Sequence, residues 1–94
     1  MGDMHSQQYI RLRKLLRVER LTRELTQGDV AKLLKKTQAY VSKYEKGERE
    51  ISLLDYFDIA KAIGFDPLEL LQKVWEKPAG IDKLFKSSGS KKSR

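Results

Sequence analysis

The chain of 94 residues has no cysteine, one histidine, one tryptophan and two prolines. Without cysteine there is neither a disulfide framework nor a cysteine-liganded zinc site, and the composition points to a reducing compartment, the cytosol or the nucleoid. The one histidine, His5, lies in the opening MGDMH, which leaves no histidine cluster to hold a metal. No glycine-rich phosphate loop precedes a helix, and the carboxylates are scattered along solvent-facing stripes. These gaps argue against an enzyme, and they imply no cofactor, no metal and no evident small-molecule ligand. Apolar runs are short as well. None approaches the roughly 20 residues of a membrane span, and the start MGDMHSQQYIRLRK lacks the apolar stretch of a signal peptide. The expectation is a soluble, cytoplasmic, nucleoid-associated protein with no membrane partner.

What is abundant is positive charge. Twenty Lys and Arg against 13 Asp and Glu give a net charge of +7, which favours a polyanionic partner. Four of the bases, Lys86, Lys91, Lys92 and Arg94, lie in the Ser/Gly-rich KSSGSKKSR, which has no acid; without them 16 bases face the same 13 acids and the remainder is only +3. The length suits one small domain burying about 60–65 % of its unfolded surface. The expected organisation is a flexible N-terminal tail over residues 1–6, a domain over 7–77, a short extension over 78–85 and a disordered basic tail over 86–94.

Helical periodicity repeats along the domain, and no alternating strand or solenoid repeat appears. From Gln7 to about Thr22, Leu12, Leu15, Leu16 and Leu21 recur at helical spacing, with Arg13, Arg17 and Arg20 on a polar stripe of which Arg13 and Arg17 are read as solvated. Thr26 with Asp29 forms a capping pair for a second helix over about Gln27 to Leu34, burying Val30, Ala31 and Leu34. Thr37 caps a third over about Gln38 to Lys46, with Val41 and Tyr44 inward and Gly47 ending it. Ser52 with Asp55 opens a fourth, whose inner face is Leu53, Tyr56, Ala60 and Ile63, joined by Phe57 and Ile59, and which Gly64 stops. Asp66 and Pro67 start a fifth that runs to about Trp75. The fold class is therefore all-α, a compact five-helix domain.

Between the second and third helices lie only Lys35, Lys36 and Thr37. So short a link makes the helices cross steeply, as a helix-turn-helix does. The projecting third helix, about 10–12 Å across, fits the major groove of DNA. Its outward positions are Gln38, Ala39, Tyr40, Ser42, Lys43 and Lys46, among which no carboxylate repels phosphate.

The stretch LTQGDVAKLLKKTQAYVSKYEKGEREISLLDYFDIAKAIGFDPLELL resembles the phage-repressor and Cro-like (XRE) helix-turn-helix family in its L-T-Q, its S-K-x-E-x-G and its I-A-K-A-I-G, over roughly Tyr9 to Leu71. The resemblance implies a lambda-repressor-like DNA-binding domain that acts as a homodimer on a pseudo-palindromic double-stranded operator. It also implies an ion pair of Arg20 with Glu45, a phosphate contact at Gln27, and base reading by Gln38, Ala39, Ser42 and Lys43. Lys35 stands where the family most often has Gly, so a left-handed backbone there carries about 1 kcal/mol of strain. Gly28 within the second helix costs about as much relative to Ala.

Individual side chains refine this. The Gln38 amide offers a donor and an acceptor together, the pattern adenine presents, whereas Ala39 offers only a methyl for a thymine methyl. Lys43 either reads guanine or neutralises phosphate. Thr37, Tyr40, Lys46 and Arg49 are candidates for phosphate, Tyr40 alternatively packing as a half-buried aromatic. Leu71, Val74 and Trp75 form an apolar end on the fifth helix that suits a two-fold interface, unless Ile81, Leu84 and Phe85 fold back over it. The function expected is a sequence-specific transcriptional regulator, a repressor or autoregulator. The alternative is a protein-interaction adaptor of the same fold with weak, non-specific nucleic-acid binding.

Overall fold

Each helix begins at a residue whose side-chain oxygen accepts a hydrogen bond from its own first turn. A computed structural model describes residues 6–75, which form α1 (Gln7–Thr22), α2 (Gln27–Leu34), α3 (Gln38–Lys46), α4 (Leu53–Ile63) and α5 (Pro67–Val74), with no strand among the described residues. Ser6 Oγ takes the Tyr9 amide, Thr37 Oγ1 that of Tyr40, Ser52 Oγ that of Asp55 and Asp66 Oδ1 that of Leu68. At α2 the bonds are reciprocal, Asp29 N donating to Thr26 Oγ1 and Thr26 N to Asp29 Oδ2, both at 2.9 Å. Such caps contribute about 1 kcal/mol each. The C-termini of α2, α3 and α4 use left-handed residues: Lys35 (φ +60°), Gly47 (φ +84°) and Gly64 (φ +99°). Glu24, in the link between α1 and α2, is left-handed too.

The five-helix expectation is met, with α5 ending one residue short of Trp75. The segments expected as extension and basic tail, with Ile81, Leu84 and Phe85, lie outside the described residues. So does the N-terminal tail, except that Ser6 is the cap of α1.

α2 packs on α3 and α4, while α1 lies against α3 and α5. Leu16, Val30, Val41, Tyr44 and Ile59 are fully enclosed where these helices meet, each burial contributing about 1.5–3 kcal/mol. Polar ties then fix the helix ends. Arg11 Nη1 donates to the Val74 carbonyl at the end of α5, and Arg23 Nη2 to the Gly64 carbonyl at the end of α4. The Tyr9 hydroxyl accepts from Ile51 N, and the Tyr56 hydroxyl donates to the Pro67 carbonyl.

Four expected placements in α1 and α4 are corrected. Leu53 is 65 % exposed and Leu21 51 % exposed: both are in phase with an inner stripe, but no described element covers that turn of their helices. Phe57 sits at the edge of the core, its ring edge-on to Tyr56, rather than within it. Arg13 is not a solvated charge, because its guanidinium packs against Gly47, where an added Cβ would stand 2.6 Å from Arg13 Cζ. Arg17 is exposed as expected.

Candidate nucleic-acid interface

The turn Lys35–Lys36–Thr37 leaves α3 standing proud of the domain. Helical phase turns Val41 and Tyr44 into the core and leaves Gln38, Ala39, Lys43 and Lys46 exposed, with Ser42 half-buried. Of the four expected base readers, three thus share one solvent-facing ridge. Glu45, the one carboxylate on the helix, is turned inward against Arg20.

Tyr40, expected outward, is 8 % exposed. Tyr40, Val41 and Tyr44 fall at i, i+1 and i+4, so the apolar stripe is one residue wider than expected, and the Tyr40 ring meets Tyr44 edge-on at 5.6 Å. Burial and the neighbouring Asp55 push its hydroxyl pKa up. Lys36 Nζ lies 5.3 Å and Arg49 Cζ 4.9 Å from the ring centroid, the geometry of cation–π contacts. Tyr40 thereby organises a recess of about 540 Å³ beside the ridge, lined by Lys35, Lys36, Thr37, Ala39, Tyr40, Lys43 and Arg49. Four of those seven side chains are cationic. Lys35 and Lys36 were not among the candidates read from the sequence, although KKT immediately before a helix cap is a local signal of positive charge beside a helix start.

On the other side of the ridge a chain of polar side chains runs from the core to the surface. Arg20 Nε donates to Glu45 Oε2 at 2.7 Å and Arg20 Nη2 to Glu45 Oε1 at 3.0 Å. Arg20 Nη1 reaches the Leu25 carbonyl at 2.8 Å. The hydrogen bond to Glu45 holds the guanidinium above its ordinary pKa despite burial. Gln27 Nε2 donates to Glu45 Oε1 at 3.0 Å, and Gln38 Nε2 to Gln27 Oε1 at 2.9 Å. The ion pair implied by the family resemblance is therefore present, and it is continuous with two residues of the candidate interface.

Thr37 is exposed, but its oxygen already accepts from Tyr40 N, leaving the hydroxyl hydrogen to donate. At the far end of α5, Val74 is enclosed in the core beneath Arg11, Leu71 is half-buried, and Trp75 is 57 % exposed. The structure brings no group of three or more His, Cys, Asp or Glu into position for a metal among the described residues. No helix among them is long and apolar enough to cross a membrane.

The family model described as helix-turn-helix matches residues 16–70, more than half of the chain. No curated protein matches it. Among solved structures, an XRE-family like protein from Pseudomonas syringae pv. tomato is 36 % identical at a TM-score of 0.69, over 71 % of this chain and 82 % of that one. The restriction-modification controller protein C.AhdI from Aeromonas hydrophila is 31 % identical at a TM-score of 0.61, over 65 % of this chain and 92 % of its own. A mutant of the controller protein C.Esp1396I, 20 % identical at a TM-score of 0.68 over 86 % of this chain and all of its own, shares the fold. The chain belongs to the XRE-type helix-turn-helix family and is a DNA-binding regulator of transcription, not an enzyme.

Proposed function

We propose that the chain is a sequence-specific repressor or autoregulator that acts as a homodimer, each copy placing α3 in a major groove of a pseudo-palindromic operator. The observation that carries this reading is the α3 ridge. Gln38, Ala39 and Lys43 are exposed together, free of carboxylate, beside a recess lined by Lys35, Lys36, Lys43 and Arg49. A ridge that presents base-reading chemistry next to a cationic concavity suits a groove bordered by phosphates. In this reading Gln38, Ala39, Ser42 and Lys43 meet base edges. Gln27, Thr37, Tyr40, Lys46 and Arg49 set the protein on the backbone, Tyr40 through the cations it stacks with. The orphan amides at the start of α2 offer a further phosphate seat. Trp75 with Leu71 supplies apolar surface for the two-fold contact. One of the similar structures, 31 % identical, is a restriction-modification controller, and control of a restriction-modification system is one setting for such a regulator.

Selection of bound duplexes from a random library near physiological salt tests the proposal. An inverted repeat with half-sites about one helical turn apart is expected. Binding that enriches no sequence and vanishes as salt rises would instead favour the adaptor reading, for which the uncovered Leu53 and Leu54 at the start of α4 offer a docking patch.

A further inference from the structure

We propose that an apolar groove between the start of α1 and the end of α5 is the seat of this chain's own segment Ile81–Phe85, which docks there within one copy and leaves Leu71 and Trp75 open. Gln8, Tyr9 and Leu12 of α1, Glu50 and Ile51 of the link after α3, and Val74 of α5 line the groove. Leu12 and Ile51 are half-buried and pack on the core from outside, so their outer faces form an apolar floor. Two long-range hydrogen bonds hold the walls together. The Tyr9 hydroxyl accepts from Ile51 N at 2.8 Å, and Arg11 Nη1 donates to the Val74 carbonyl at 2.8 Å. The concavity is thus preformed, with a volume of about 290 Å³. A cavity of about 150 Å³ already takes up one benzene, so this one has room for two large apolar side chains. Nucleic acid is the wrong occupant, because the exposed Glu50 would set a carboxylate against phosphate.

The position of the groove names its occupant. Val74 lines it, the described residues end one position later at Trp75, and residues 76–94 follow. The large apolar residues of that stretch are Ile81, Leu84 and Phe85, at i, i+3 and i+4, the spacing of a single helical face. The six residues from Trp75 to Ile81 span at most about 20 Å, and Pro78 keeps the chain from continuing α5 straight past the groove. Lys83 and Lys86 bring positive charge to the rim where Glu50 stands. So short a tether gives the segment an effective concentration on the order of millimolar, which favours it over a second copy. Leu71 and Trp75 do not line the groove, so a filled groove is compatible with a two-fold contact through them. From this seat, the basic residues after Phe85 leave the domain beside Glu50, next in the chain to Arg49.

The test uses the full chain without DNA. Because the sequence has no cysteine, Ser87→Cys carries a single nitroxide, and the reduced label supplies the reference signal. The methyl resonances of Leu12, Ile51 and Val74 are expected to broaden. Adding Leu84→Ser and Phe85→Ser to the labelled chain should restore them, and adding Glu50→Lys should restore them in part. Leu84 and Phe85 lie outside the described residues and Glu50 is exposed, and thermal melts check that each variant keeps the fold. A mixture of nitroxide-bearing chains without isotope and isotope-labelled chains without nitroxide should show no broadening. No broadening within the labelled chain overturns the seat. Broadening that survives Leu84→Ser with Phe85→Ser reports only the closeness of the tether, and it overturns the seat as well. Broadening in the mixture as strong as within one chain gives the groove to a second copy and overturns docking within one copy.

Discussion

Arg20 keeps its charge with 7 % of its surface exposed, a placement tolerable only because Glu45 and the Leu25 carbonyl take its donors. An exposed pair would contribute little. Here the side chains are 8 % and 5 % exposed, and removing one partner strands the other charge in the interior. Glu45→Ala is expected to destabilise the domain by about 3–5 kcal/mol, enough to threaten the native state given typical stabilities of about 5–15 kcal/mol. The double replacement Arg20→Met with Glu45→Leu leaves no stranded charge and should recover most of that loss, while Gln27 and Gln38 lose their anchor. Denaturant melts of the two single variants and the double variant measure this. A single variant losing less than about 1 kcal/mol would put the pair in the class of surface bridges.

The turn between α2 and α3 shows strain tolerated at the scale of an element. Lys35 sits at φ +60°, where a side chain costs about 1 kcal/mol relative to glycine, yet it lines the cationic recess. Lys35→Gly should therefore raise stability by up to about 1 kcal/mol while weakening DNA binding and lowering its salt slope by about 1. Melts and binding isotherms at several salt concentrations separate the two effects; a variant that binds as well as wild type would remove Lys35 from the interface. At Gly47 the opposite holds, since φ is +84° and Arg13 occupies the space a Cβ would need. Elements like these were legible in the sequence because their signals are local: Thr26 with Asp29, Thr37, Ser52 and Asp66 each announce a helix within four residues. Coverage is not local. Leu53 has the right phase and no neighbour, Arg13 has the wrong chemistry and a place under Gly47, and nothing near Glu24 in sequence foretells its positive φ. The candidate site divides the same way. Gln38, Ala39 and Lys43 could be placed on the ridge by counting, whereas the inward turn of Tyr40 and the linkage of Gln38 through Gln27 to Glu45 depend on how α1, α2 and α3 meet.

At the scale of the whole molecule, two tyrosine hydroxyls tie stability to pH. Tyr44 is buried with no hydrogen-bond partner for its hydroxyl among the described residues, and burial pushes its pKa up. Burial also pushes Tyr56 up to about 12. Both folded-state values lie above the ordinary 10.0, so the unfolded chain loses these protons first. The associated stability is complete below about pH 10 and is lost as pH climbs towards 12. Far-UV circular dichroism followed alongside tyrosinate absorbance should show both signals changing together; ionisation of all four tyrosines without loss of helix would contradict the burial. Charge acts across the molecule in a different way. Four of the positive charges behind the net +7 fall in residues 86–94, and counterion release depends on how many charges meet phosphate rather than on which bases are read. Deleting residues 86–94 should flatten the slope of log K against log salt by up to about 3 or 4 and lower affinity for every duplex, while the ranking of operator variants stays the same. A changed ranking would mean that the tail reads DNA as well as attracting it. An unchanged slope would mean that it does neither, and that the rest of the chain, with its net charge of only +3 once those four are subtracted from +7, concentrates its attraction in the recess built around Tyr40.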